Sequence, residues 1–420
     1  MVARFTRSQY SPALFDIAQD IVGSLPIKLV ERWLHSEQTH EDACRLLAPT
    51  RMVGFNVVSD SAGLTRLTQE RGLMEILALI DRPKEIIHDV GIGIGGEAIG
   101  IWAADNTQMF YPQDIAASTL LSALLTVQDA VAAHCQIRVG LGAHFGEFYR
   151  LSGGLHGAES DAIEALAEND TVGGEIVVSG ALLARLPADH DFTLAPREGQ
   201  DTPLGPTWRV LDGPRLTTRP GARGHVPIPY PIPYSAEFHA DLLAFERHID
   251  DAAFAQAMIA KYTQHRTVVL VEREGEATGT HEVALFVGLA LSAMLKDAGL
   301  RHLDDDHGRE IKVVGPLGIY TFEDPAQALA FAETFRRELA DENIRVRVGI
   351  DTGPVLVFDL ASGGKDISGA PVNIASKMAQ DRGEWGHIYL SERLQGLARA
   401  RGFTPLQYLV SGVLLRVFAG

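Results

Sequence analysis

The sequence predicts an α+β protein built from two copies of one ferredoxin-like unit, βαββαβ with additions. Three landmarks carry the duplication. Gly96-Glu97-Ala98-Ile99-Gly100-Ile101-Trp102, His144-Phe145-Gly146-Glu147 and Gly174-Glu175-Ile176-Val177-Val178-Ser179 recur in order as Gly315-Pro316-Leu317-Gly318-Ile319-Tyr320-Thr321, Asp351-Thr352-Gly353-Pro354 and Gly386-His387-Ile388-Tyr389-Leu390-Ser391. The offsets are 219, 207 and 212 residues. Chance matches keep neither order nor spacing, whereas a duplicated domain keeps both. Within each copy, short apolar runs of strand type alternate with helical periodicity in the order of a split βαβ core.

Residues 1–49 form an N-terminal helical segment, with helix spacing at Leu14, Ile17, Ile21 and Val22 and again at Leu29, Val30 and Leu34, broken at Pro26. The first copy spans 50–213. Its apolar strand at 52–58 runs into a turn at 59–63, followed by a helix over 64–80, a β-hairpin around 91–103, a helix over 115–133 and a strand at 137–141. A helix around 161–168, a strand at 176–179 and a closing strand at 208–211 complete it. Residues 214–264 are a linker and helix. Pro214, Pro220, Pro227, Pro229, Pro231 and Pro233 predict an extended, semi-rigid connector, and 236–262 reads as helix. The second copy, 265–420, repeats the order: strand 267–271, helix 282–298, hairpin 311–322, helix 326–340, strand 345–350 and a last strand at 413–418.

A net charge of −17 excludes broad capture of nucleic-acid backbones or anionic lipid, so any nucleotide must be held locally by a metal and a few cations. Cys44 and Cys135 are the only cysteines and form no CxxC pair, so neither a disulfide framework nor a zinc site is expected, and a reducing cytoplasmic setting is. Residues 1–10 lack an apolar signal core. The most apolar helical run, 283–295, is shorter than the roughly 20 residues that span a bilayer and is flanked by Glu282 and Lys296, which predicts a buried or dimer-facing helix and no membrane insertion.

The segment Arg347-Val348-Gly349-Ile350-Asp351-Thr352-Gly353, followed by Asp366-Ile367-Ser368-Gly369-Ala370-Pro371-Val372-Asn373-Ile374-Ala375-Ser376-Lys377-Met378, resembles the class III nucleotidyl (adenylyl/guanylyl) cyclases. The likeness extends over 50–213 and 265–420 as a tandem arrangement of two cyclase homology domains. It implies that two cyclase-type domains pack as a pseudo-twofold intramolecular pair. In that family one domain supplies two carboxylates for two divalent metals. Its partner supplies a base-reading Lys and Asp, a transition-state Asn and an Arg.

Carried over, Asp60 in Asp60-Ser61-Ala62-Gly63-Leu64-Thr65 matches the first metal carboxylate and Glu97 the second, with Glu for the usual Asp. The base-reading positions of the first copy hold Gly93, Gly154, Asp161 and Ala165. The second copy inverts the pattern: Lys312, Asp366 and Asn373 match, Lys377 replaces Arg, and the metal positions hold Glu272 and Pro316. The resemblance therefore implies one composite two-metal site and one vacant site.

The implied activity is that of a soluble adenylyl cyclase converting ATP to cyclic AMP and pyrophosphate with two Mg²⁺ or Mn²⁺ ions. Hard cations of this kind prefer carboxylate oxygens. Lys312 is donor-only and ionised Asp366 acceptor-only, which suits the acceptor and donor on adenine's edge and opposes guanine's. The regulator is a partner protein, a small effector such as bicarbonate, or the N-terminal helices.

Each residue also has a plainer reading. Asp60 before a turn suits a helix N-cap, and Glu97, Lys312 and Lys377 suit solvated surface. Asp161 and Glu164 have the spacing of an exposed helical face, His302 and His307 flank an acidic hairpin tip, His144 reads as structural, and the Pro227–Pro233 tract with Tyr230 and Tyr234 reads as a linker rather than a docking peptide. A catalytically degenerate protein that senses a nucleotide or small ligand, or serves as a signalling scaffold, is the alternative function. Glu97 and Lys377 keep it open.

Overall fold

The computed structural model describes residues 27–61, 71–100, 102, 106–151, 154–197, 202–217, 230–275, 279–304, 306–381, 383–410 and 413–420. The chain divides into two compact units. The first comprises 45–233 with 239–251; the second comprises the chain up to Cys44, residues 234–238 and residues 252–420. No helix among the described residues is long and apolar enough to cross a membrane.

Two short helices, α1 (Ile27–Leu34) and α2 (His40–Leu47), come before the first sheet in the chain. The first unit then runs β1 (Arg51–Ser61), α3 (Leu73–Gly93), β2 (Glu97–Ala98), β3 (Thr107–Pro112), α4 (Ala117–His134), β4 (Val139–Leu151), β5 (Gly154–His156), α5 (Ala158–Asp170), β6 (Ile176–Ser179), α6 (Gly180–Leu183), β7 (Thr193–Pro196) and β8 (Thr207–Asp212). Its sheet has the order β2-β3-β1-β4-β6-β8-β7, with β5 paired to β4. The β4-β1-β3-β2 part is the ferredoxin-like core. Strand alternation distributes the apolar side chains to both faces. Phe55 and Val57 of β1 join a core with Leu120 and Leu124 of α4, while Val58 packs with Ile163 and Leu166 of α5.

After α7 (Ala236–Arg247) and α8 (Ala252–Tyr262), the second unit repeats the plan: β9 (Thr263–Arg273), α9 (His281–His302), β10 (Gly308–Val314), β11 (Leu317–Phe322), α10 (Pro325–Asp341), β12 (Val346–Asp359), β13 (Lys365–Ser368), α11 (Ala370–Ser376), β14 (Ile388–Ser391), α12 (Gln395–Ala400), β15 (Thr404–Val410) and β16 (Val413–Ala419). The order β10-β11-β9-β12-β14-β16-β15, with β13 on β12, copies that of the first sheet. Even the parallel pairs correspond, β4 with β6 and β12 with β14.

Several elements differ from expectation. The helix expected over 64–80 continues to Gly93, and residues 62–70 lie outside the described part. Pro83 reads as a break, because it lacks a backbone N–H and crowds the preceding turn. The buried row on either side of it, Leu79 and Ile80 before and Ile86, Ile87 and Val90 after, carries the helix through. The hairpin expected to open at 91 therefore starts at Glu97. The strand expected to end at 141 continues to Leu151, and β5, β7, β13 and β15 were not expected. Residues 1–26 and 218–229, with the helical spacing at Leu14, Ile17, Ile21 and Val22 and with Pro26, Pro220, Pro227 and Pro229, lie outside the described residues. Tyr230 and Tyr234 are both buried.

Gly349 of β12 sets how closely α11 sits on the second sheet. A Cβ there would lie 2.1 Å from the carbonyl oxygen of Ala375, whereas one at the equivalent Gly142 would meet the Ile163 and Ala167 side chains at 3.1 and 3.3 Å. A backbone oxygen has little room to yield. Gly349→Ala is expected to cost about 1–3 kcal/mol, with Gly142→Ala clearly milder, in thermal or urea unfolding.

Candidate active site

Lys312 lies on β10 immediately after a register shift between Glu310 and Lys312, the kind of irregularity that re-aims a side chain. Its Nζ donates to Asp366 Oδ2 at 2.8 Å, and Asp366 Oδ1 accepts from the Ile367 N–H at 2.8 Å. Asp366 is largely buried on β13, while Lys312 keeps about a third of its side chain in solvent. α11 follows directly, starting after Gly369. Asn373, exposed, and Lys377, half-buried, sit one turn apart on the same helical face. The structure thus brings the expected Lys and Asp into contact and places the expected Asn and Lys on the helix that follows.

The residue expected at the second unit's metal position is tied up. Glu272 of β9 is the register partner of Arg347 on β12, and Arg347 Nε reaches Glu272 Oε2 at 2.6 Å. Arg347 also donates to the Gly383 carbonyl at 2.9 Å and lies over the Trp385 ring at 4.3 Å. A guanidinium held on three sides satisfies the carboxylate by charge-assisted bonding and leaves no reason for a cation there. Pro316 has no ligand atom.

Matching strand partners transfers these positions to the first unit. Leu141, Gly142 and Ala143 pair with Ile176, Val177 and Val178 as Val348, Gly349 and Ile350 pair with Ile388, Tyr389 and Leu390. On that register Asp60, opposite Gly140, takes the place of Glu272, opposite Arg347. Gly154, opposite Leu151, takes the place of Asp366, opposite Phe358. Asp161 follows Gly157 by the same four residues that separate Asn373 from Gly369, and Ala165 falls opposite Lys377.

Glu97 does not fall at the second metal position. It pairs with Phe110, which pairs with Asn56, so it is level with a residue four positions from Asp60 on β1. That is about 13 Å along the strands and about 10 Å across two of them, too far for two carboxylates to share a pair of ions about 4 Å apart. Glu97 is instead doubly engaged by Arg150, whose NH1 lies 2.7 Å from Glu97 Oε2. Gly93 is likewise the last residue of α3 rather than a strand position. Thr107 pairs with Ser59 as Gly318 faces Val271, which makes Asp105 the sequence counterpart of Pro316; residue 105 itself lies outside the described part. The offsets carry the signal, since Glu97 to Pro316 is 219 residues whereas Asp60 to Glu272 is 212 and Asp105 to Pro316 is 211.

Two further groups take structural roles. His144 and Asp351 occupy equivalent buried points, His144 Nδ1 lying 2.8 Å from the Ser179 hydroxyl and Asp351 accepting from Ser391 and, at 2.7 Å, from Arg393. Burial pushes the Asp351 carboxyl up and the His144 imidazole down. His302 contacts Glu338, and His307 Nδ1 lies 2.9 Å from Asp304, so the two histidines have separate partners.

Residues 303–407 match the family described as the adenylate and guanylate cyclase catalytic domain. Among curated proteins the chain has no match. Solved structures similar to it include the adenylyl cyclase CyaB from P. aeruginosa, at 20% identity and a TM-score of 0.31, covering 37% of this chain and 94% of that one. An adenylate/guanylate cyclase/hydrolase from Silicibacter pomeroyi is similar at 19% identity and a TM-score of 0.30, over 37% of this chain and 96% of that one. The guanylate cyclase domain of RhGC from Catenaria anguillulae, solved with GTP, is similar at 17% identity and a TM-score of 0.30, over 37% and 95%.

Glu164 departs from the exposed face expected of it. Its carboxyl turns inward on α5, where Gln108 Nε2 donates to it at 2.9 Å and the Ser160 hydroxyl at 3.1 Å. Burial, with Asp161 adding repulsion, pushes its pKa up to about 7. A raised acid contributes stability that is complete below its ordinary value of 4.5 and is lost as pH climbs through 7. Glu164→Gln, neutral throughout, should flatten that decline, with the variant gaining on the parent in Tm between pH 5 and 8.

Proposed function

We propose that this protein is a nucleotide cyclase that converts ATP to cyclic AMP and pyrophosphate. The observation that carries the reading is the Lys312–Asp366 contact, a donor and an acceptor set side by side. Asp60 stands at the sheet position equivalent to Glu272, which Arg347 engages. The catalytic-domain match over 303–407 supports the same chemistry for the second unit.

Asp60 suits Mg²⁺ or Mn²⁺ by its donor chemistry, and Glu97, held by Arg150, does not. We therefore assign the second carboxylate to Asp105. When bound, two such ions lower the pKa of the ribose 3′-hydroxyl and offset charge on the attacking and leaving oxygens. Lys312 would donate to adenine N1 and Asp366 accept from the amino group. Asn373 would orient the ribose. Lys377 would meet the charge growing on the α-phosphate, as a point charge without the bidentate fork of Arg.

Purified protein supplied with ATP or GTP and either metal should yield cyclic AMP by chromatography. Asp60→Ala and Asp105→Ala should each lower turnover at least about a hundredfold with unchanged melting, and Glu97→Gln should stay within about threefold, because only the first two are ligands here. Persistent activity in Asp60→Ala, or its loss in Glu97→Gln, would refute the assignment.

Specificity offers a test that does not depend on rate. Lys312→Glu combined with Asp366→Gly should shift the ATP-to-GTP preference at least about tenfold, since each charged hydrogen bond is worth about 1.5–3 kcal/mol. An unchanged preference, measured by turnover or by binding, would mean that these residues do not face a base. The sensor without turnover, which Lys377 in place of Arg favours, would then stand.

A further inference from the structure

We infer that His40, Cys44 and Glu282 form a binding site for a zinc-class divalent ion, which fastens the first turn of α2 to the first turn of α9. This site shares no residue with the nucleotide chemistry proposed above. His40 and Cys44 are four apart on α2, which puts both on one face of the helix. Glu282 comes from the first turn of α9, and one donor atom from each of the three residues falls within a 4.8 Å cluster.

The separations suit a tetrahedral ion. Bonds of about 2.3 Å to sulfur and about 2.0–2.2 Å to nitrogen and oxygen make tetrahedral edges of about 3.6 Å for S···N and about 3.4 Å for N···O. Cys44 Sγ lies 3.6 Å from either ring nitrogen of His40, and His40 Nδ1 lies 3.6 Å from Glu282 Oε2. His40 Nδ1 is also 2.7 Å from the Thr280 hydroxyl. In the unliganded cluster that hydroxyl donates to the Nδ1 lone pair and an incoming ion takes its place, so Nδ1 is the ligand whose separations from sulfur and carboxylate fit.

Ligand chemistry selects the ion. Thiolate and imidazole favour zinc-class ions and offer little to Mg²⁺ or Mn²⁺. Three protein donors leave a fourth position to water. The helix before α2 already meets α9, where Trp33 of α1 stacks on Phe286 of α9 at 4.5 Å, so the ion would add to a contact that is already packed. The absence of a CxxC pair argued against zinc from sequence. The ligands here are drawn from positions 40, 44 and 282, a separation no local motif reports.

The test uses the full chain, stripped with EDTA and titrated with Zn²⁺, Co²⁺ and Mg²⁺ in the absence of nucleotide. Expected are one zinc per chain by calorimetry, a thiolate-to-cobalt charge-transfer band, protection of Cys44 from a thiol reagent by Zn²⁺ but not Mg²⁺, and a zinc-dependent rise in Tm. Cys44→Ser, His40→Ala and Glu282→Gln should each weaken zinc at least tenfold while melting like the parent in EDTA, and Cys135→Ser should leave binding intact. Unchanged zinc affinity in Cys44→Ser, equal protection by Mg²⁺, or no cobalt–thiolate band would overturn the site. Because none of these readouts involves turnover, a protein that makes no cyclic nucleotide would still test it.

Discussion

Everything else in each unit hangs on one long antiparallel pairing. Eleven consecutive residues of β1 are in register with β4, and eleven of β9 with β12. A slip of one residue would turn every side chain to the opposite face and exchange core for solvent. With one face of β1 committed to Phe55 and Val57 and the other to Val58, that slip is closed off on both sides. The same pairing decides which residue looks across at each acid, Gly140 at Asp60 and Arg347 at Glu272. Scaffold and chemistry are therefore set by separate residues on the same strands, which is how two units of one topology can carry different groups.

The duplicated plan was legible because it rests on features a sequence displays: apolar alternation, helical periodicity and recurring glycine-bounded landmarks. Asp366 opens the segment 366–378 on which the resemblance is read, whereas Lys312 lies 54 residues earlier and is brought to it by the fold. The first hairpin opens at Glu97 rather than at 91 because the helix expected over 64–80 runs on to Gly93; buried neighbours carry it through Pro83, and no local signal announces this. Glu164 shows a second limit. A carboxylate at i, i+3 from another reads as solvated surface until Gln108, 56 residues earlier, is found beside it. Asp81 is a third case. It is 2% exposed, accepts from the Tyr230 hydroxyl, and lies 3.3 Å from His239 Nε2, a buried cluster whose members are distant in sequence.

Arginine is the means by which this acidic chain disposes of carboxylates it does not use. Arg347 closes on Glu272, Arg150 on Glu97 and Arg393 on Asp351, each by direct hydrogen bonds. The three differ in what they are worth. Arg150 and Glu97 are both about half exposed, where solvent screens an ion pair to little net stability. Arg347 and Glu272 are each about 16% exposed, so removing either one leaves a poorly solvated charge.

That difference gives the asymmetry of the two units a physical logic. A carboxylate partly removed from water is a cost to the fold unless a neighbouring group answers its charge. At Glu272 that cost is cancelled within the protein by a guanidinium braced on Trp385 and the Gly383 carbonyl. At Asp60 the facing residue is Gly140, whose missing side chain makes room for Thr171, a Cβ there meeting its hydroxyl at 2.1 Å. No side chain can be introduced at that position without displacing Thr171, so the cross-strand pairing that sets Arg347 against Glu272 has no counterpart at 140.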